Sequence, residues 1–251
     1  MIAIVIPSFR VKSQIIGIIG RIGPETEKIY VVDDACPEGS GTHVLEHCKD
    51  PRVRVIFHDK NKGVGGATKT GYLKALEDGA EIIVKLDGDG QMDPSMISRL
   101  IEPIRNGSAD YVKGNRFYDL VFLRQMPFLR KLGNSAVSFM NKLSSGYWNL
   151  MDPSNGFTAV HRKALSFLPL ERIDDRFFFE SDMLFRLNTI RAVVAEMPMH
   201  AYYGDEKSNL RIHQVAVQFP LKYLNRLVKR IFYNYYLRDF NIGSLELFLA
   251  S

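Results

Sequence analysis

A chain of 251 residues with 46% hydrophobic content can bury a full core as one large domain, or one domain plus a tail, which excludes intrinsic disorder and low complexity. The formal charge of +5 is modest for this length, and the two cysteines, Cys36 and Cys48, lack metal-site spacing and are read as free thiols. No run of about 18 apolar residues is present, and the opening "MIAIVIPSFR" lacks the basic region and cleavage site of a secretory signal, so the chain as given is expected to be cytosolic.

Along the chain, short apolar β-branched runs alternate with segments of helical period. "IAIVIPSF", "KIYVVDD", "RVRVIFHD", "EIIVKLDGD" and "ADYVKGN" read as strands; "KSQIIGIIGRI", "GTHVLEHCK", "GGATKTGYLKALEDG" and "PSMISRLIEPIRNG" separate them. Such alternation implies crossover connections and a mostly parallel sheet covered on both faces, an α/β fold. Residues 116–132 read as a loop that overlaps a helical stretch over 126–145. A strand is expected over 156–162, followed by the segment "RFFFESDMLFRLN" and a strand near 192–203. From Pro220 the pattern is an amphipathic helix: Lys222, Arg226, Lys229 and Arg230 fall on one side, and Leu224, Leu227, Val228, Ile231 and Tyr235 on the other. That basic side, with the aromatic ending "RIFYNYYLRDF", predicts a helix lying on an anionic membrane surface.

In open sheets of this kind ligands bind outside the carboxyl ends of the strands. Three predicted strands end there in polar signals: "PSFR", Asp33-Asp34 and Asp87-Gly88-Asp89. Carboxylates crowded at a strand end repel one another unless a cation or a donor holds them. Asp87 and Asp89 suit a hard divalent cation, Mg²⁺ or Mn²⁺, completed by substrate phosphates. The entry "NKGVGGATKTG" serves either an anion at a helix N-terminus or close helix packing.

Other patterns point elsewhere. "HVLEH" places His43, Glu46 and His47 in the spacing of an inverted zinc-protease motif, a metal-dependent hydrolase reading that lacks a third ligand. "KGVGGA" has Thr68 at the third glycine position of a dinucleotide loop and follows the wrong strand, which argues against a dehydrogenase. A sugar-nucleotide nucleotidyltransferase on a related sheet would need a basic phosphate-gripping loop after the first strand, and Arg10 and Lys12 offer only part of one. No nucleic-acid partner is expected, because basic residues interleaved with aromatics occur only in the tail.

The order of motifs resembles the family 2 glycosyltransferases of the nucleotide-diphospho-sugar transferase (GT-A) fold. The nearest branch is that of dolichyl-phosphate mannose synthases and bacterial polyprenyl-phosphate glycosyltransferases. The matching pieces are "VIPSFR", "VVDDACPEGSGT", "NKGVGGATKTG", "DGDGQMDP", "KGNR" and "DPSNGFTAVHR", in order over roughly residues 1 to 205. The resemblance implies a GT-A catalytic domain over 1–210 and an amphipathic juxtamembrane tail over 211–251, ending short of transmembrane helices. It implies an inverting, metal-dependent transfer of a sugar from a UDP- or GDP-sugar to a polyprenyl phosphate or lipid-linked glycan at the cytoplasmic membrane face.

By the same resemblance, Pro7, Phe9, Asp33, Asp34 and Gly63 border the nucleotide. Asp87, Gly88, Asp89 and Gln91 surround the diphosphate, with Asp87 and Asp89 on the metal. Arg116 lies near the phosphates, Asp182 or else Glu180 acts as general base, and Arg162 and Lys207 meet the acceptor. Arg10 departs from the family's usual Asn, and no Glu follows it.

Overall fold

The computed structural model describes residues 1–118, 128–199 and 212–250. Seven strands form one sheet: β1 (Ile2–Ser8), β2 (Lys28–Asp33), β3 (Val53–Phe57), β4 (Ile82–Lys85), β5 (Tyr111–Asn115), β6 (Thr158–His161) and β7 (Val194–Pro198). Their order is β3-β2-β1-β4-β6-β5-β7, parallel throughout except for β6, which runs against both neighbours. The chain builds outward from β1 to β3, then returns to place β4 on the other side of β1. Strand order therefore reverses at the β1/β4 seam, where open α/β sheets bind ligands.

The central strands are buried on both faces, which is why β1 reads as an unbroken apolar run. One face packs against α3 (Val64–Glu77) and α7 (Phe179–Thr189), through Val5, Tyr72, Ala75, Ile83, Phe179, Met183 and Leu187. The other packs against α1 (Ile15–Ile19), α2 (Ser40–His47) and α4 (Ile97–Arg105). In α4 the buried positions Ile97, Leu100, Ile101 and Ile104 keep the spacing of a single helical stripe. A short helix, α6 (Arg162–Ser166), follows β6 directly.

The second half matches its expected elements closely. α5 spans Phe128–Ser145, and β6 and β7 fall inside the expected strands, with residues 200–203 of the latter expectation outside the described residues. Of the expected loop, Arg116–Tyr118 forms a 3₁₀ turn, and residues 119–127 lie outside the described residues.

The tail departs from expectation in two ways. α8 (Ile212–Phe232) begins well before Pro220, so the proline sits inside the helix, where it lacks the N–H of one ladder hydrogen bond. The larger correction concerns orientation. The basic side of α8 faces the protein: Lys222 pairs with Asp174, Arg226 with Asp182, and Arg230 donates to the carbonyl of Leu143. On the other side Leu224 and Val228, with Leu221 and Phe232 beside them, are more than half exposed, whereas Leu227, Ile231 and Tyr235 are half-buried. The cations predicted to meet an anionic membrane are thus mostly consumed inside the fold, although Lys229 remains exposed.

α8 runs on through a π-helical turn, Tyr233–Arg238, to α9 (Ile242–Ala250), whose Leu245, Phe248 and Leu249 are also exposed. Among the described residues no helix is long and apolar enough to cross a membrane.

Candidate active site

The β1/β4 seam brings two loops together. Gly88 packs so tightly that a methyl group there would lie 3.1 Å from Val11 and 3.5 Å from the carbonyl of Pro7, which sets the Asp87–Asp89 turn against the loop leaving β1. Pro7 pairs with Val32 one residue before β1 ends, Phe9 is half-buried beyond it, and Arg10 takes a left-handed backbone (φ 59°) with its guanidinium 5.4 Å over the Phe9 ring. These residues and Asp87, Gly88, Asp89 and Gln91 lie on the loops that leave β1 and β4 at one edge of the sheet.

The acidic pair after β2 is committed to the fold. Asp33 is buried and accepts from the N–H groups of Cys36 and Gly41, at 2.7 and 2.6 Å, fixing the turn into α2. Asp34, also buried, accepts from Lys62 N–H (2.8 Å) and Gly63 N–H (2.7 Å) and lies 2.7 Å from His58 Nδ1. Its carboxylate therefore organises the glycine-rich turn. Gly63 has φ 93°, and a side chain there would strike the Asp175 carbonyl at 2.5 Å. The N–H of Gly66 is taken by the same carbonyl. Close packing, one of the two readings of this entry, is realised. Asp33, Asp34 and Gly63 thus scaffold the crevice that they were expected to border.

Asp87 and Asp89 end β4 as two hard oxygen donors. Asp89 Oδ1 accepts from Gln91 N–H at 3.0 Å, and Asp93 serves as a cap for Ser95. Among the described residues no three His, Cys, Asp or Glu side chains gather as a metal cage. Two carboxylates fit a cation whose remaining ligands are waters and substrate phosphates.

Behind the turn lies a buried charge network that the sequence reading missed. Lys85 is fully buried, with Nζ 2.5 Å from Asp87 Oδ1 and 3.1 Å from Glu180 Oε1. Burial alone would depress its ammonium, but the two carboxylates outweigh it and hold Lys85 above the ordinary lysine range. In register across β4, β6 and β5 stand Lys85, Thr158 and Lys113, so the second lysine shares that face. Lys113 is also fully buried and donates to the carbonyl of Asn155; burial, only partly offset by Glu180 and Asp152, lowers its pKa to about 8. Buried lysines are rare without partners, so a lysine inside "IIVKL" or "YVKGN" was itself the available signal.

Arg116 is held by Asp152, Nε to Oδ2 at 2.7 Å and Nη2 to Oδ1 at 2.8 Å. Asp152 is buried, and its N–H and that of Met151 donate to Glu196 Oε1 on β7. The "KGNR" and "DPSNGF" segments are therefore clamped together beside the Asp87 turn.

The two candidate bases part company. Glu180 faces Lys85, whereas Asp182 is wholly buried between Arg226 (2.6 Å) and Arg186 (3.6 Å) and accepts from Asp174 N–H. A general base needs a reachable lone pair, so Asp182 is corrected to a tail-docking residue. Arg162 is corrected too: it is exposed at the opposite edge, where its N–H bonds the Glu81 carbonyl before β4 begins. Lys207 lies outside the described residues. His43 and His47 are neighbours on exposed helix (ring centroids 4.3 Å), with His47 Nδ1 on the His43 carbonyl and no third ligand among the described residues.

Comparison with known proteins adds an independent line. Residues 4–168 match the family model described as glycosyl transferase family 2. The UDP-N-acetylglucosamine–dolichyl-phosphate N-acetylglucosaminyltransferase of Methanococcus voltae is 30% identical over 243 residues, covering 91% of this chain and 96% of that protein. The undecaprenyl-phosphate mannosyltransferase of Micrococcus luteus is 32% identical over 178 residues, 70% of this chain and 72% of that one. Among solved structures, glucosyl-3-phosphoglycerate synthase from Mycobacterium tuberculosis in complex with UDP superposes with a TM-score of 0.68 at 16% identity, covering 91% of this chain and 80% of that one; this likeness concerns the fold.

Proposed function

The chain belongs to glycosyl transferase family 2, a glycosyltransferase of GT-A fold, and from that premise we propose that it transfers a sugar from a nucleotide-diphospho-sugar to a polyprenyl phosphate, with inversion, at the cytoplasmic face of a membrane. The observation that carries this reading is the Asp87–Asp89 pair at the β1/β4 seam. Asp87 and Asp89 would hold a divalent cation there, Mg²⁺ or Mn²⁺, whose charge offsets that of the leaving diphosphate. Solved complexes of the glucosyl-3-phosphoglycerate synthase contain Mn²⁺ and UDP-glucose, which supports this choice.

Each part of the chain then has a role. Pro7 and Phe9 border the base, and Arg116, steadied by Asp152, sits near the phosphates. A phosphate oxygen of the acceptor attacks the anomeric carbon opposite the diphosphate; the new C–O bond forms as the bond to the diphosphate oxygen breaks, and the electron pair leaves with the nucleotide. Such an acceptor is already an anion and needs positioning more than proton removal. That suits a site in which Asp182 is engaged by Arg226 and Glu180 by Lys85. The names of the two relatives, both acting on polyprenyl-type phosphates, favour the same acceptor class. The exposed apolar stripe of α8 supplies the membrane side, by hydrophobic contact in place of the basic contact first expected.

The test is calorimetry with UDP and GDP, with and without Mn²⁺, followed by transfer of labelled sugar from the bound nucleotide's sugar derivative to polyprenyl phosphate. Micromolar, metal-dependent binding of one nucleotide and an organic-extractable product support the reading. Absence of any nucleotide binding overturns it.

A further inference from the structure

Lys85 is a full charge placed where strands normally carry Val or Ile, fully buried, at the last position of β4. It makes three contacts: Asp87 Oδ1 at 2.5 Å, Glu180 Oε1 at 3.1 Å and the carbonyl of Gly156 at 3.4 Å. These partners come from three separate pieces of chain: the turn after β4, the first turn of α7, and the segment entering β6. A buried ammonium that served stability alone would need only one carboxylate, and a well-packed apolar residue would serve as well or better. Here it joins one carboxylate that faces the crevice to one that covers it from behind.

Gly156 shows how closely the pair is fitted. A methyl group at this position would fall on Asp87 Oδ2 and within 2.6 Å of Lys85 Nζ. Both obstructing atoms are ends of side chains, so an alanine here displaces the carboxylate without displacing the backbone. Glycine in "SNGF" thus keeps clear the space in which Lys85 and Asp87 meet.

We propose that Lys85 is a positioning residue: from beneath the turn it fixes the direction in which Asp87 presents its second oxygen, with Glu180 balancing the charge and Gly156 leaving the room. This rests on the donor-site reading above, in which Asp87 faces a cation and a diphosphate. Lys85 touches neither; it acts through Asp87. Outer partners of this kind typically contribute 10- to 100-fold to metal affinity.

The experiment measures binding of UDP and GDP by calorimetry, with and without Mn²⁺, for the wild type, Lys85→Met and Gly156→Ala, beside thermal unfolding of each. The Mn²⁺-dependent gain in nucleotide affinity is expected to fall roughly 10- to 100-fold in both variants, while affinity without metal stays within about twofold. Should Lys85→Met fail to fold, Gly156→Ala retains both charges and decides the matter alone. An undiminished Mn²⁺-dependent gain overturns the proposal and leaves the donor site standing, as does an equal loss with and without metal, which marks a structural role. A wild type that binds neither nucleotide removes the donor site itself, and Lys85's role with it.

Discussion

Arg226 reaches from the tail helix to grip Asp182 at two points, Nε to Oδ1 at 2.6 Å and Nη2 to Oδ2 at 3.1 Å. The carboxylate expected to take a proton from the acceptor instead fastens α8 to α7. Asp182→Asn is therefore expected to destabilise the protein by about 3 kcal/mol, the low end for breaking a buried pair because Arg226 keeps some solvent. Sugar transfer per folded molecule should hold within a few-fold. Urea unfolding and kcat on the same preparations check this; a loss of kcat of several orders of magnitude at unchanged stability would restore the base role.

Asp89→Ala should abolish the Mn²⁺-dependent part of nucleotide binding while leaving the melting temperature nearly unchanged, since the residue lies in a partly exposed turn. Calorimetry at matched nucleotide concentrations is the measurement. Binding that is equally tight in the variant would mean the turn holds no cation.

Lys113 gives a pH signature. Its folded pKa of about 8 lies below the ordinary lysine value of about 10.4, so between these limits the unfolded chain binds more protons than the folded one. The Lys113 contribution to stability must rise with pH across that window, by about 3 kcal/mol in total. Tyr72, raised by burial to about 12, begins to act in the opposite direction above pH 10. The difference in urea midpoint between Lys113→Met and wild type should accordingly drift in the wild type's favour from pH 8 to 10. A constant difference would show that the lysine does not titrate there.

The exposed stripe of α8 can be tested apart from the site. Leu224→Asp with Val228→Asp should change stability by no more than about 0.5 kcal/mol per position. Sedimentation with phosphatidylcholine vesicles should fall at least about tenfold, because each apolar side chain contributes roughly 1.5–3 kcal/mol when buried. Wild-type binding should be nearly the same on neutral and anionic vesicles and respond little to salt. Strong dependence on anionic lipid would favour the exposed Lys229 and its neighbours over the apolar stripe.

The parallel sheet and its crevice were legible because β1, β2 and β4 are apolar runs that end in polar residues, a pattern physics ties to buried strands and their carboxyl ends. Roles inside the crevice were less so. Asp33 and Asp34 look alike as letters, yet nearby N–H groups claim both, and those donors come from residues up to 29 positions away. Glu180 and Asp182 are two apart on a helix, hence about 200° apart around it, and must look in opposite directions; both directions are buried, and the sequence lacked which of them met Lys85 and which the tail helix. For α8 the periodicity separated basic from apolar residues, but a preference for charge in water turned the basic side outward; on the apolar side Leu224 and Val228 are exposed and Leu227 and Ile231 half-buried. Asp174 and Asp182, on another segment, supplied the partners that made the basic face the inner one.

β6 runs against its neighbours, so its first residue, and not its last, stands at the edge where β1, β2 and β4 finish. The chain arrives at that edge straight from α5, against which the tail rests through Arg230 and Leu143, and departs toward the far side. One covalent stretch, residues 146–157, therefore joins α5, on which the tail rests, to Asp152 and Gly156. Faster amide exchange in 146–157 is where loosening of the tail should register first.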